Sequence, residues 1–563
     1  MVHQQYGAVG TGVTTVSVKQ IRNQYYDTKY WYNQSSVGLY ETKLSYLQQI
    51  ENYFIDDSSS KGFTTILNTM FNSLDTLKNN ASDVNTRQQF IGSAQNLATY
   101  FNSVSEGLTD IQKGTNDEIK STVQNINAIA EKIAVLNKQI NVIEIQGGYA
   151  NELRDQRALL IDELSEIVPT EVSEVPITDT NHPDEPTGAN YYTVKIGGQV
   201  LVDTYNYETL ECKARDYKVN QTDAAGLYDI KWSKTGNTFN AGGSSMSGTL
   251  KALFDIRDGN NGENFSGLAK VLNSTEVQIT NPSITSIVGV SMPEEGILTI
   301  NGREYAYEGF TFEQDADGNI TSYTFNMKRA LTAEEQARVD GRTASVGTSI
   351  DAMGIPYYMS QMNQFLRSFA TEFNNILKKG VDLDGNSTSG YAFFTGTDTV
   401  TGKEFSFDGK DANGNTVNGS GSDTYYKLTA ANICVNSMIV KDPTKLATTV
   451  DINGKGGVDA YDLVEELATL KSGKVLYRGG TADGFLKCMI ADISVDTQQS
   501  EIFSKNYQNV ASAIDTQRMS ISGVDEDEEA MDLIKFQNAY NLSSKMISVM
   551  AEIYDRLILE TGV

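Results

Sequence analysis

Proline is scarce in this sequence, 8 in 563 residues, and so are cysteine (3), histidine (2) and tryptophan (2). Few prolines leave long stretches free to be helical, because proline removes an N–H and clashes with the preceding turn. Cys212, Cys434 and Cys488 lie far apart with no CxxC pair, so neither a disulfide scaffold nor a zinc site follows from them. The histidines, His3 and His182, form no HExxH. There is also no GxSxG elbow, no GxxxxGKS/T loop and no GxGxxG after a strand. Acids are plentiful, but nothing marks out one carboxylate pair. The expectation is a protein that is not an enzyme, with no catalytic, cofactor-binding or metal residues. Positive charge is short as well: 45 Lys and Arg against 72 Asp and Glu give a net charge of −27. Such a field repels phosphate backbones, and no basic cluster offsets it, so nucleic acid is not an expected partner. No apolar run approaches the roughly 18 residues of a membrane span. The opening "MVHQQYGAVGTGV" lacks the basic and apolar regions of a cleavable signal peptide.

Asn, Ser, Thr and Gly are abundant instead. The length suits about three or four domains. The texture alternates between helical periodicity and short alternating runs broken by Gly, Asn and Asp. The reading is an α+β multidomain chain: an elongated, coiled-coil-like helical body, inserted β-rich domains and a C-terminal amphipathic helix. Its segments are an extended lead-in (1–36), a first helical part (37–168), a β-rich insertion (169–240), a helical return (241–274) and a second β-rich insertion (275–352). A body helix (353–380), a turn- and strand-rich stretch (381–430), a last helical part (431–519) and a terminal axial helix (520–563) complete it. In the return, "ENFSGLAKVLNS" reads as an extension of the helix before it. The first and last helical parts share one core in this layout and lie side by side.

Two stripes carry the most physics. From residue 115, "TNDE" offers a capping box, Thr115 as N-cap and Glu118 at N3. Ile119, Val123, Ile126, Ala130, Ile133, Asn137 and Ile140 then follow at strict four-three spacing. That is a coiled-coil seam with an amide that could fix register, or equally one face of an ordinary helical bundle. In the last stretch, Phe536, Tyr540, Ser543, Ile547, Met550, Tyr554 and Leu557 form one seam, with Leu542, Met546, Val549 and Ile553 beside it, and Leu533 is expected at the same interface. Two seams make a face that wants at least two neighbours. Over about 54 Å of helix, burying these side chains could contribute on the order of 20 kcal/mol gross. The acids at 525–529 suit the positive end of the helix macrodipole, and with Gly523 they look like a joint. The expectation is a bundle between chains or between termini.

One stretch is similar to a calcium loop: "DINGKGGVDAYD", residues 451–462. Lys455, however, places an ammonium where calcium needs an oxygen. A Gly-rich connector ahead of the next helix is the better reading.

The end of the chain, "SISGVDEDEEAMDLIKFQNAYNLSSKMISVMAEIYDRLI", resembles the C-terminal signature of bacterial flagellar rod, hook and hook-associated proteins. "TRQQFIGSAQNLATYFN" (86–102), "LRDQRALLIDELSEIV" (153–168) and "FLRSFATEFNNILKKGVDLDG" with "GYAFFTG" (365–396) narrow the resemblance to the hook-associated protein 1 family. "GTGVTTVSVKQIRNQYYDTKYW" (11–31) resembles the start of that family's body. The resemblance implies a non-enzymatic, extracellular structural protein of the hook–filament junction, exported by the flagellar apparatus and assembled as a ring. It implies hook protein, another junction protein, an export chaperone and further copies of the chain as partners. The terminal helix would be inner core, and the β-rich insertions would face outward, the second as an addition relative to shorter members. It also implies an N-terminal amphipathic helix ahead of the first residues here, so the terminal helix is expected to lack that partner. The competing reading of the residues is a cell-surface adhesin or glycan-binding protein using the β domains. A carboxylate-pair hydrolase in those domains comes third.

Overall fold

Helices occupy the proline-poor stretches and strands the Gly- and Asn-punctuated ones in this computed structural model, which describes residues 2–4, 7–9, 21–56, 62–178, 186–523 and 525–560. His182 lies outside them. A short hairpin, β1 (Val2–Gln4) with β2 (Gly7–Val9), comes first. Helix α1 (Gln24–Asn52) begins inside the stretch expected to be an extended lead-in, because the Asn23 side chain caps it by accepting from Tyr25 N at 3.0 Å. Helix α2 (Phe63–Asn79) is capped from upstream: the Asp56 carboxylate accepts from the N–H groups of Gly62, Thr64 and Thr65. Those bonds hold the carboxyl below its ordinary range in spite of its partial desolvation.

Helix α3 (Val84–Ile145) is one rod of 62 residues, about 93 Å long. The start expected at Thr115 does not exist. Thr115 is buried in mid-helix with Oγ1 donating to Ile111 O, and Glu118 accepts from Tyr46 OH. Neighbours on both sides of that point are buried, so packing overrides the local capping signal. Helix α4 (Asn151–Ile167) folds back along α3.

A four-stranded antiparallel sheet follows: β3 (Thr170–Thr178), β4 (Pro186–Ile196), β5 (Gln199–Asp203) and β6 (Asn206–Tyr207). Gly197 and Gly198, both at positive φ, turn β4 into β5. A hairpin of β7 (Leu210–Ala214) and β8 (Tyr228–Trp232) precedes helix α5 (Thr249–Asp258).

The next unit is a closed antiparallel barrel in the order β10–β13–β12–β11–β14–β9. Its strands are β9 (Phe265–Val271), β10 (Glu276–Thr280), β11 (Glu295–Ile300), β12 (Arg303–Gln314), β13 (Ile320–Met327) and β14 (Thr343–Val346), with α6 (Ala333–Val339) before the last. Here the helical extension is corrected. "ENFSGLAKVLNS" contains β9, which pairs with β10 on one side and β14 on the other. Closing the barrel needs that strand, and tertiary pairing outweighs local pattern. Gly267 supplies the room, since a Cβ there would stand 2.5 Å from Ile279 Cγ2. The barrel has its own core around Phe265, Tyr307, Phe310, Tyr323 and Phe325.

The chain returns through α7 (Ile355–Leu377), the strand pair β15 (Phe394–Gly396) and β16 (Ile433–Val435), α8 (Ser437–Lys441) and α9 (Asp462–Ala468). It ends in α10 (Ala482–Ser522) and α11 (Glu526–Glu560). Helix α10 runs antiparallel to α1: Ser494 reaches Glu51, the Asn33 side chain donates to Tyr507 O, and Asp27 meets Arg518. One apolar core joins α1 through α5 and the first sheet to α7, α9 and α10.

Candidate assembly surface

The two stripes read from the sequence meet opposite fates. On α3, Ile119, Val123, Ile126, Ala130, Ile133, Asn137 and Ile140 are at most 2% exposed. Their cover is the chain itself, namely α4, α5, β4, β5 and β7. Asn137 fixes register between helix and sheet: its Nδ2 donates to Thr204 O (2.8 Å), and its Oδ1 accepts from Arg157 Nη1 (2.8 Å). Arg157 in turn pairs with Glu174 at 3.1 Å and lies 3.5 Å from the centre of the Tyr192 ring.

The sequence reading missed that other amides on α3 do the same. Asn127 exchanges two hydrogen bonds with the backbone of Leu210, and Asn141 exchanges two with Asn190. Asn116 accepts from Tyr228 N, and Gln112 from Ala224 N. Each amide satisfies a strand or loop edge as it enters the helical body, where an unpaired backbone group would cost about 1–3 kcal/mol. The signal was present as an abundance of Asn on a helix, a residue type that weakens helices unless its side chain has such a task.

Helix α11 has no buried residue. Asp525 caps it, accepting from the N–H groups of Asp527 and Glu528, and four acids fill the first turn. The apolar residues expected at an interface, Leu533, Phe536, Tyr540, Leu542, Met546, Ile547, Val549, Met550, Ile553, Tyr554 and Leu557, are 48–70% exposed. At 3.6 residues per turn they sweep an arc of about 200° along about 52 Å of helix. Lys545, Glu552, Asp555 and Arg556 take the remaining side.

The end of α10 is fixed by a clasp that no sequence motif announced. Near the end of α10, Arg518 Nε lies 3.0 Å from Asp27 Oδ1, and its Nη2 lies 3.0 Å from Asp162 Oδ2. The guanidinium stands 4.4 Å from the Tyr30 ring centre, and Trp31 Nε1 donates to Asp162 at 2.6 Å. Burial pushes the Asp162 carboxyl above its ordinary range although Arg518 opposes the shift. Burial also works against the Arg518 charge, but Asp162 and Asp27 outweigh it. Three helices, α1, α4 and α10, are thus tied together just before Gly523.

In the calcium-like stretch, Asp451 accepts from Asn453 N and Asp462 from Val450 N, so both carboxylates serve turns. Among the described residues no group of His, Cys, Asp or Glu is placed to hold a metal ion, and no helix is long and apolar enough to cross a membrane.

Residues 47–279 match the family model described as the flagellar hook-associated protein FlgK helical domain. Residues 506–559, which span the joint and α11, match that of the flagellar basal body rod FlgEFG protein C-terminal region. The chain is 26% identical over 562 residues to flagellar hook-associated protein 1 of Bacillus subtilis, spanning 99% of this chain and 87% of that protein. It is 24% identical over 570 residues to flagellar hook-associated protein 1 of Salmonella typhimurium, spanning 98% and 90%. The structure of the flagellar hook junction protein FlgK from Burkholderia pseudomallei superposes with a TM-score of 0.46 at 14% identity, covering 88% of this chain and all of that one.

Proposed function

We infer the role of this chain from one premise: it belongs to the flagellar hook-associated protein 1 family. It is a structural protein of the bacterial flagellum and not an enzyme. Its work is to join hook subunits to filament-side junction subunits, with copies of the chain forming a ring. The exposed arc of α11 carries this reading, because an apolar face of that width at a chain end is stable only when covered. Assembly covers it in the flagellum, outside the cell. Before export a chaperone covers it. The helical body and its docked β units act as a stiff spacer between the terminal helices and the surface. The adhesin reading is not favoured, since the matches to hook-associated protein 1 run through the β units as well.

The test is replacement of Leu542 and Ile547 by Asp in the bacterium that encodes the chain, with the flagella viewed by electron microscopy. The expected result is hooks without filaments. Filaments of normal number and length on the variant would overturn the reading.

A further inference from the structure

The barrel and the helical body have separate apolar cores and are joined by two chain crossings, around 259–264 and 347–354. Open clefts of about 770 and 390 Å³ lie between the barrel and the Arg215–Lys218 loop. Besides the crossings, β12 pairs with residues 418–420, Phe312 N donating to Asn418 O and Ser420 N to Phe310 O at 2.9 Å each.

A buried polar hub joins the two units as well. Arg367 projects from α7 and is 1% exposed. Its Nε donates to Leu428 O (2.9 Å), and Nη1 donates to Val290 O (2.7 Å) and Val288 O (3.1 Å). Its Nη2 donates to Tyr426 O and Gln221 Oε1, both at 2.7 Å. A guanidinium has five N–H donors, and here each has an oxygen. None of the five acceptors is a carboxylate, so the charge is held by dipoles of oriented carbonyl and amide groups, with the Tyr426 ring centre 5.7 Å away. Val288 and Val290 belong to the barrel's β10–β11 connection. Tyr426 belongs to the barrel core: its ring packs edge-on to Phe310 at 5.5 Å, and its OH donates to Met292 O. Gln221 bridges the same parts, its N–H donating to Ser291 O and its Nε2 to Tyr426 O. The guanidinium therefore sits where α7, the barrel and the loop after β7 converge.

We propose that Arg367 is the lock that fixes the orientation of the barrel on the helical body. Removing it strips the donor from several buried carbonyls at the seam between units. Opening the seam hydrates those oxygens and leaves both apolar cores intact, so the barrel swings as a rigid unit about its crossings. The fork geometry matters, because lysine places three donors on one point and cannot reach acceptors arrayed around a plane.

Spin labels at Asp317→Cys in the barrel and Glu106→Cys on α3, with the three natural cysteines replaced by Ser, read the angle as a distance distribution by pulsed electron resonance. With Arg367 present the distribution is expected to be narrow. Arg367→Met should widen it at least twofold while far-ultraviolet dichroism is unchanged, and Arg367→Lys should fall between the two. A folded Arg367→Met chain with the original narrow distribution would overturn the proposal. So would loss of both cores in one transition at lower temperature, which would make Arg367 an ordinary core residue. Gln221→Ala keeps the guanidinium and removes only the bridge, and it is expected to widen the distribution by a smaller factor. If Arg367→Met does not fold, an unchanged width in Gln221→Ala overturns the proposal.

Discussion

Helices α3 and α11 carry nearly the same apolar spacing, yet Ile126 is fully buried and Ile547 is 70% exposed. Period alone reports that a face needs cover. It does not report whether the cover lies in the same chain. What separates the two helices is polar chemistry: α3 interleaves its seam with amides that grip strands arriving from the chain's own insertions. Helix α11 follows a joint, begins with acids and runs on as an uncovered apolar arc. A seam that meets its own chain is marked by side chains that bind backbone. The exposed seam of α11 carries no such marks.

The sharpest way to break this contrast is to place one change in both helices. Ile126→Asp puts an unpaired charge in the core and should abolish cooperative thermal unfolding of the body followed by circular dichroism. Ile547→Asp should leave the melting temperature within about 1 °C, because exposed substitutions away from special features change stability by about 0.5 kcal/mol or less. A comparable loss in both would erase the distinction. Asn137→Ala tests the amide that docks the sheet. It should cost about 2–3 kcal/mol in denaturant unfolding, since it leaves Arg157 and Thr204 O each one partner short.

The body should also sense acid. Burial would raise the Asp258 carboxyl, but Arg257 and Arg215 hold it down to about 2, below the ordinary 3.8. A depressed carboxyl contributes stability that is fully present above its unfolded value and is lost as pH falls through its folded one. Unfolding free energy should thus decline by on the order of 2 kcal/mol between about pH 4 and pH 2 from this group, and Asp258→Asn should flatten that slope. A smaller, local effect than that of Asp258 is expected at the clasp. Arg518→Ala should cost about 1 kcal/mol of local stability, seen as faster amide exchange over residues 510–522 with the rest of the body unchanged.

Much of the fold was legible from residues. Apolar stripes placed the second half of α3 and all of α11, and α2, α4 and α7 fall inside stretches read as helical. The misses share a physical cause. Thr115 carries a capping pattern that is correct locally and irrelevant inside a buried rod. Strand β9 has no strong strand pattern of its own and exists because a barrel needs a sixth strand. Asp56 caps α2 from six residues before Gly62, a distance that local cap rules do not span. The candidate interface on α11 could be named residue by residue because exposure left its pattern uncomplicated. The clasp and the Arg367 hub could not, because single arginines acquire meaning only from partners far along the chain, 59–146 residues away for Arg367 and 356 for Arg518 with Asp162.

Amide hydrogen exchange on the full chain, at a dilution where it is monomeric, tests most directly the claim that α11 is covered by another molecule. The account predicts that residues 526–560 exchange orders of magnitude faster than residues 119–140 and slow down once the chain is assembled on hook ends. Protection of 526–560 in the monomer equal to that of 119–140 would contradict it.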